Sequence, residues 1–363
     1  MIGCNFQRRK ARSFVSYAGW VLLVFIIATN VARADHSENE FRLDLNHLSM
    51  VHVPVTEQNL GMCYAFASAQ MLDAYRFSSG DQDYSKQIDP FALAVAFKQK
   101  NYNNDAYTYP KHLPPNNYQY GVTFGWVRGV LDVVNAEGGA CLGNNEKIKT
   151  LAEEYKNNYS QIKKNELDQF ITYFLNHHHD LFEGVEKSCS EFSEKEEHLQ
   201  NAGIRFVNFF KAAIDQFCTS DERKNFSIKY DHIGPKHRKE FKNFIDSHLQ
   251  MSKAQPVAVR YDCNVVYFGR KYPGIDPSLQ QESLVDEKYP HQHVSLIIGY
   301  RMRVKTSLFG HEKKTRQYLV RNSWGIECGK YSKDWKCDNG NLWIDEEVLL
   351  KSINSLTTIL PPP

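Results

Sequence analysis

Apolar positions along this chain fall into two rhythms. In residues 63–77, Ala67, Met71, Ala74 and Tyr75 recur at helical spacing; residues 90–100 and 123–137 continue the pattern, the last stopped by Gly138-Gly139. After Gln255-Pro256 the rhythm changes. Runs at 257–261, 294–300, 317–320 and 342–344 are apolar and rich in β-formers, which predicts strands. The chain therefore reads as α+β, with a helical half over 35–255 and a β-rich half over 256–363 that is expected to form an antiparallel, barrel-like sheet. The basic stretch between Arg303 and Gln317 reads as a hairpin extension.

Within the helical half, residues from about 144 to 252 are rich in Lys, Glu, Asn and Gln. Spaced aromatics, among them Tyr155, Phe170, Phe206, Phe209 and Phe210, suit amphipathic helices. This stretch is read as a largely helical insertion that packs beside a cleft and restricts entry to it, with a surface for a protein inhibitor or partner as the less favoured alternative.

The first 34 residues follow a different logic. Arg8, Arg9, Lys10 and Arg12 precede an apolar run over 20–28, and Ala32-Arg-Ala34 supplies small residues at the expected cleavage point. This is the tripartite pattern of a secretory signal peptide over 1–34. The run is well short of the roughly 20 apolar residues of a spanning helix, so no stable membrane anchor is expected. The mature chain is then placed outside the cytoplasm, in an extracellular, periplasmic or secretory-lumen compartment.

Cysteine usage agrees. Of the eight cysteines, Cys4 leaves with the leader and Cys63 stands apart; Cys141, Cys189, Cys218, Cys263, Cys328 and Cys337 remain, an even set that suits three disulfides. Cys328 and Cys337, close in sequence, are the pair expected first. A formal net charge of +2 gives no reason to invoke nucleic acid, and a 13% aromatic content argues against disorder. His177-His178-His179 invites a metal reading, but adjacent helical positions point in different directions and no Cys or carboxylate is spaced to complete a site. No metal and no cofactor are expected.

The candidate chemistry centres on Cys63, which opens the helical run. There the positive end of the helix dipole is expected to lower its pKa, although an isolated cysteine beside small and aromatic residues is more often a core hydrophobe. Two partners alter that balance. His293 stands at the edge of one predicted strand and Asn322 just after another. A thiol nucleophile needs a base, and the base needs an acceptor that fixes its tautomer.

In order and type these blocks resemble the papain-like cysteine peptidases. Pro54-Val-Thr-Glu-Gln58 and Cys63-Tyr-Ala-Phe-Ala67 look like the family's oxyanion and nucleophile segments, and His293-Val-Ser-Leu-Ile-Ile-Gly-Tyr300 like its histidine strand. Asn322-Ser-Trp-Gly325 looks like its asparagine motif, and Asp338-Asn-Gly-Asn-Leu-Trp-Ile344 like the turn and strand that follow. The resemblance implies a papain-like fold with the cleft between the two halves. It further implies Cys63 as nucleophile, His293 as acid and base, Asn322 as the group orienting the imidazole, and Gln58 with the Cys63 N–H as oxyanion donors. Trp324 would cover the His293–Asn322 bond. Departures from the family pattern are also visible: Gln58 stands one residue closer to the cysteine, Tyr64 replaces Trp, no cysteine precedes the nucleophile among Leu60, Gly61 and Met62, and little chain is left for a propeptide. The expected function is an exported endopeptidase that cleaves polypeptides through a Cys63 thioester. A papain-fold binding protein without turnover, and a transpeptidase, use the same residues and stay open.

Overall fold

A computed structural model of the chain describes residues 35–45, 48–58, 61–103, 122, 125–143, 145–157, 200–274, 292–307 and 309–362. The stretch 1–34 read as a signal peptide, His177-His178-His179, Cys189 and residues 158–199 of the 144–252 stretch lie outside them.

After strand β1 (Asp35–Arg42), the helical half is built on α1 (Cys63–Ser78), α2 (Pro90–Asn103) and α3 (Val127–Glu137). Local chemistry sets their ends. Pro90 occupies the first position of α2, where its missing N–H costs nothing, and Asp89 Oδ1 caps the turn by accepting from the Ala92 N–H at 2.7 Å. Gly138, at φ 71°, takes the left-handed conformation that closes α3. Close packing explains the small residues: a Cβ on Gly125 would lie 2.5 Å from the Tyr64 ring, and one on Gly129 2.5 Å from Phe97. Tyr64, Phe97 and Trp126 accordingly form a chain of ring contacts at 5.2 and 4.9 Å.

Beyond β2 (Gly139–Cys141), helices α4 (Glu146–Asn157) and α5 (Gln200–Phe217) belong to the stretch read as an insertion. They complete this core, since Tyr155 and Phe210 pack on Phe91 of α2 at 5.5 and 5.6 Å. Cys141 and Cys218, with Cα atoms 5.8 Å apart, stand at disulfide distance and tie β2 to the end of α5. Strand β3 (Arg223–Asn225) pairs with β2 in a two-stranded sheet.

The large sheet collects β4 (Tyr230–Ile233), β5 (Val257–Asp262), β6 (Gln292–Thr306), β7 (Glu312–Arg321), β8 (Lys336–Asp338), β9 (Asn341–Asp345) and β10 (Ile353–Ile359) in the order β4-β10-β5-β6-β7-β9-β8, all antiparallel. Helices α6 (Phe241–Leu249), α7 (Asn264–Phe268) and α8 (Glu346–Ser352) connect its strands. β6 is the spine. Its first half pairs with β5 and its second with β1 along one edge, while β7 runs along the other in the expected hairpin. The barrel-like expectation is corrected: the sheet is open. Its terminal strands β4 and β8 are only 4 and 3 residues long and lie at opposite ends of the order, so no ladder joins them. β1 and β4 also bring residues from before Gln255 into the sheet.

Two glycines are dictated by this sheet. Asn339 (φ 47°) and Gly340 (φ 78°) give consecutive positive φ values, the requirement of a two-residue hairpin turn between β8 and β9. Gly299 sits where the β6–β7 register shifts, and a Cβ there would lie 2.3 Å from the Phe41 carbonyl oxygen of β1. Among the described residues, no helix is long and apolar enough to cross a membrane. Gly299→Ala is expected to push β1 off β6 and cost about 1–3 kcal/mol in urea unfolding. An unchanged midpoint would show that β1 does not pack there.

Candidate active site

Residues 53–58 are strapped to the segment that follows β7. Arg321, 4% exposed, donates to the Val53 carbonyl at 2.6 Å, and Gly325 N–H donates to the Thr56 carbonyl at 3.1 Å. Glu57 bridges Trp324, the Gln58 N–H donates to the Ser323 carbonyl at 2.7 Å, and the Ser323 hydroxyl donates to Gln58 Oε1 at 2.6 Å. With its carbonyl oxygen occupied, Gln58 has its Nε2 hydrogens to offer elsewhere. The shorter spacing from Gln58 to Cys63 is therefore absorbed in the loop, while Gln58 itself is anchored beside Asn322.

β6–β7 pairing sets Leu296 opposite Arg321, which brings Asn322 beside Ser295 and next to His293. Asn322 is fully buried. Its Oδ1 accepts from the Ser323 N–H at 2.8 Å, from His293 Nε2 at 2.7 Å and from the Ser295 hydroxyl at 3.4 Å. Because a main-chain N–H can only donate, the Ser323 contact identifies the oxygen of the amide. His293 must then carry its hydrogen on Nε2, leaving Nδ1 with the free lone pair. Trp324 packs 4.9 Å from the His293 ring and is itself stacked between Tyr267 of α7 at 5.7 Å and Tyr331 at 5.9 Å. On the other flank Tyr261, paired with His293 across β5–β6, meets the ring edge-on at 5.9 Å. The Asn322 amide nitrogen is buried near the Tyr331 hydroxyl, and among the described residues neither meets a partner in good hydrogen-bond geometry.

Cys63 is the first residue of α1, which packs against β6. Met62 offers no side-chain cap, so the first-turn N–H groups are not consumed by one. The half-buried sulfur is faced by the N–H groups of Val294, the residue after His293, and of Tyr64 and Cys63. The structure thus brings Cys63 to the β6 main chain beside His293, and gathers His293, Asn322, Gln58 and Trp324 on the sheet.

The lowered Cys63 pKa expected from the helix terminus is corrected. Burial pushes the thiol up to about 11, against the N–H groups of Val294 and Tyr64 and the charge of Arg260, which pull the other way. A rise from 9.0 to about 11 corresponds to roughly 3 kcal/mol against the thiolate. A helix N-terminus typically contributes about 0.3–1 kcal/mol in the opposite sense, so burial wins. Burial also pushes His293 down to about 4, although Asn322 acts to raise it. Burial thus acts against charge on both the thiol and the imidazole.

Sequence reasoning did not find Ser323, Ser295, Tyr331, Tyr261 or Arg260 as parts of this site. Ser323 lies inside the Asn-Ser-Trp-Gly block and was the most accessible of them; the others depend on cross-strand pairing. Cys328 and Cys337 stand at disulfide distance, as expected, whereas Cys263 is unpaired among the described residues. No group of three or more His, Cys, Asp or Glu side chains among the described residues is arranged to hold a metal ion. Compared with models of known protein families the chain matches none, and no curated protein matches it.

These shifts define a pH dependence. His293 is held below its ordinary 6.5, so its contribution to stability is present above that pH and is lost as pH falls toward about 4. Cys63 is held above its ordinary 9.0, so its contribution is present below that pH and lost as pH rises to about 11. Alkylation of Cys63 by iodoacetamide should accelerate about tenfold per pH unit between about pH 7 and 10. A rate plateau from about pH 5 to 8 would instead reveal a thiolate already formed at rest.

Proposed function

We propose that the protein is an exported cysteine peptidase with a papain-like site, hydrolysing polypeptides through a thioester on Cys63. The observation that carries this reading is the His293 Nε2 to Asn322 Oδ1 bond at 2.7 Å, which leaves Nδ1 as a base in a neutral imidazole. Cys63 opens a helix packed against the same strand. Two cysteine pairs at disulfide distance support export.

In this reading His293 Nδ1 takes the Cys63 proton as Sγ bonds to the substrate carbonyl carbon. The carbonyl π electrons move to oxygen, where Gln58 Nε2 and the Cys63 N–H donate to the charge that develops. As the tetrahedral species collapses, the C–N bond breaks and His293 passes its proton to the leaving amine. Water then attacks the thioester, giving a proton to His293 and an oxygen to the acyl carbon. The second collapse releases the acid and returns the proton to sulfur. Trp324 keeps water from the His293–Asn322 bond, and Asn322 holds the imidazole in the tautomer the first step requires. Transpeptidation follows the same path with an amine in place of water. The raised Cys63 pKa is the observation that favours a second reading, a papain-fold binding protein with little turnover.

The test is intact mass after exposure to a peptidyl epoxide. One adduct is expected on the wild-type protein and none on Cys63→Ala or His293→Ala, with slowed labelling of Asn322→Ala; a folded wild-type protein that takes no label would favour the binding reading. Gln58→Ala should lower kcat by about 100- to 1,000-fold with KM little altered. An unchanged kcat would exclude Gln58 as an oxyanion donor.

A further inference from the structure

Arg260 stands out among the cationic side chains. Others that are buried or half-buried have acceptors: Arg76 meets Asp73 and Asp81, Arg321 meets Asp44, Arg270 meets Asp345, and Arg316 meets Asp246. Among the described residues, Arg260 has neither a carboxylate nor a hydrogen-bond acceptor, although its side chain is half-buried. Leaving a guanidinium partly desolvated and unpaired is unfavourable, and an anionic group of a ligand would relieve that cost.

Its position identifies the ligand's surroundings. Arg260 lies on β5 directly opposite Val294, so the two side chains leave the same face of the sheet; the Val294 N–H faces the Cys63 sulfur. Arg260 and Cys63 are close enough to act on each other's ionisation. β5 and β7 flank β6 on opposite sides, so Arg260 is separated from Trp324 by the His293 strand. Arg128 on α3 joins it in acting on His232 of β4, which burial and these two cations hold below its ordinary pKa. The nearby carboxylate Asp132 accepts from the Tyr230 hydroxyl. Arg260 and Arg128 thus bring two cations, beside the carboxylate of Asp132, to where α3 meets the β4–β5 side of the sheet next to Cys63.

We propose that Arg260 is a specificity residue of the Cys63 site that pairs with a substrate carboxylate, either a Glu or Asp side chain near the bond attacked or the C-terminus of the polypeptide. This rests on the peptidase reading for the identity of the substrate as a polypeptide, while the carboxylate preference is a property of binding and is tested apart from turnover.

The experiment uses full-length mature protein carrying Cys63→Ala and measures its binding to peptides in which one Glu, Gln or Lys is moved through a neutral sequence, with free or amidated C-termini. At one position Glu should bind about 10- to 100-fold tighter than Gln, a margin set by leaving the cation unpaired with the amide. Preference only for free C-termini would identify the terminal carboxylate as the source. Arg260→Gln should bring the ratio near one, and Arg260→Glu should turn it toward Lys. Equal binding of Glu and Gln peptides with no effect of the C-terminus, or no binding of any peptide, overturns the proposal. Should either Arg260 variant fail to fold, the Glu-to-Gln ratio without an Arg260 substitution and its decline with salt decide the matter. Turnover of the same peptides by protein with Cys63 intact is read separately. Binding preference without hydrolysis removes the peptidase reading alone, and hydrolysis without preference removes the carboxylate reading alone.

Discussion

The guanidinium of Arg321 is the interaction on which the site depends. It is buried at the end of β7, one residue before Asn322, and its donors go to Asp44 after β1, to the Val53 carbonyl before α1, and to Asn341 on β9. Three chain segments distant in sequence are thereby held at one point. Burial pushes the Arg321 pKa down while Asp44 acts to raise it; for Asp44, burial opposes ionisation but the Arg42 hydrogen bond and the charges of Arg321 and Arg42 hold it below the usual carboxylate range. Breaking a buried pair of this kind typically costs about 3–5 kcal/mol, because the remaining charge is stranded. Here the consequence extends beyond stability, since releasing Val53 would slacken the segment that carries Gln58 to Ser323.

Burial governs the chemistry as well. The same desolvation that pushes the Cys63 pKa up and the His293 pKa down removes water from the place where charge would appear during a reaction. On the proposed reading, Gln58 Nε2 and the first N–H groups of α1 would gain strength as donors in such surroundings, because little solvent would compete with them and little would reorganise. A site that opposes charge at rest and is lined with fixed donors favours the charged transition state over the charged ground state. Arg260 follows the same rule in binding: desolvation without a partner makes its pairing with an incoming carboxylate more favourable than that of an exposed arginine.

Much of the architecture was legible because its signals were local. The helix expected over 63–77 is found at Cys63–Ser78, the Gly138 stop ends α3, and each predicted apolar run after Gln255 lies in a strand. The four candidate residues could be picked from the order of short blocks, and the Cys328–Cys337 proximity from their spacing. What escaped was non-local. β1, Asp-His-Ser-Glu-Asn-Glu-Phe-Arg, is polar because it packs along the edge of β6 with much of its described surface exposed, so it carries no hydrophobic alternation. β4 is hidden for the same reason. Whether a sheet closes depends on pairing at its two ends, which no single strand records. Arg260 reads as one polar position in an otherwise apolar run, and only the absence of a carboxylate around it among the described residues gives it meaning.

The division of the site between the two halves limits which motions could affect it. His293, Asn322 and Trp324 come from β6 and the segment after β7, and Gln58, although it precedes α1, is bound to Ser323 on that same sheet side. Cys63 is thus the member of the set carried by a helix, and the separation between its sulfur and the His293 imidazole is set by how α1 rests on the sheet. That contact is dense. Ala65, Ala67, Ser68 and Ala69 are buried, Tyr64 donates through its hydroxyl to the Val122 carbonyl at 2.7 Å, and α1 touches β5, β6 and β10 on one side and α2 and α3 on the other. Small side chains allow that close approach, and interiors packed this tightly resist displacement by even part of an ångström. The sulfur is therefore positioned by the packing of α1 and not by a loop, which suits the proposed role of a nucleophile whose base is fixed on a different element.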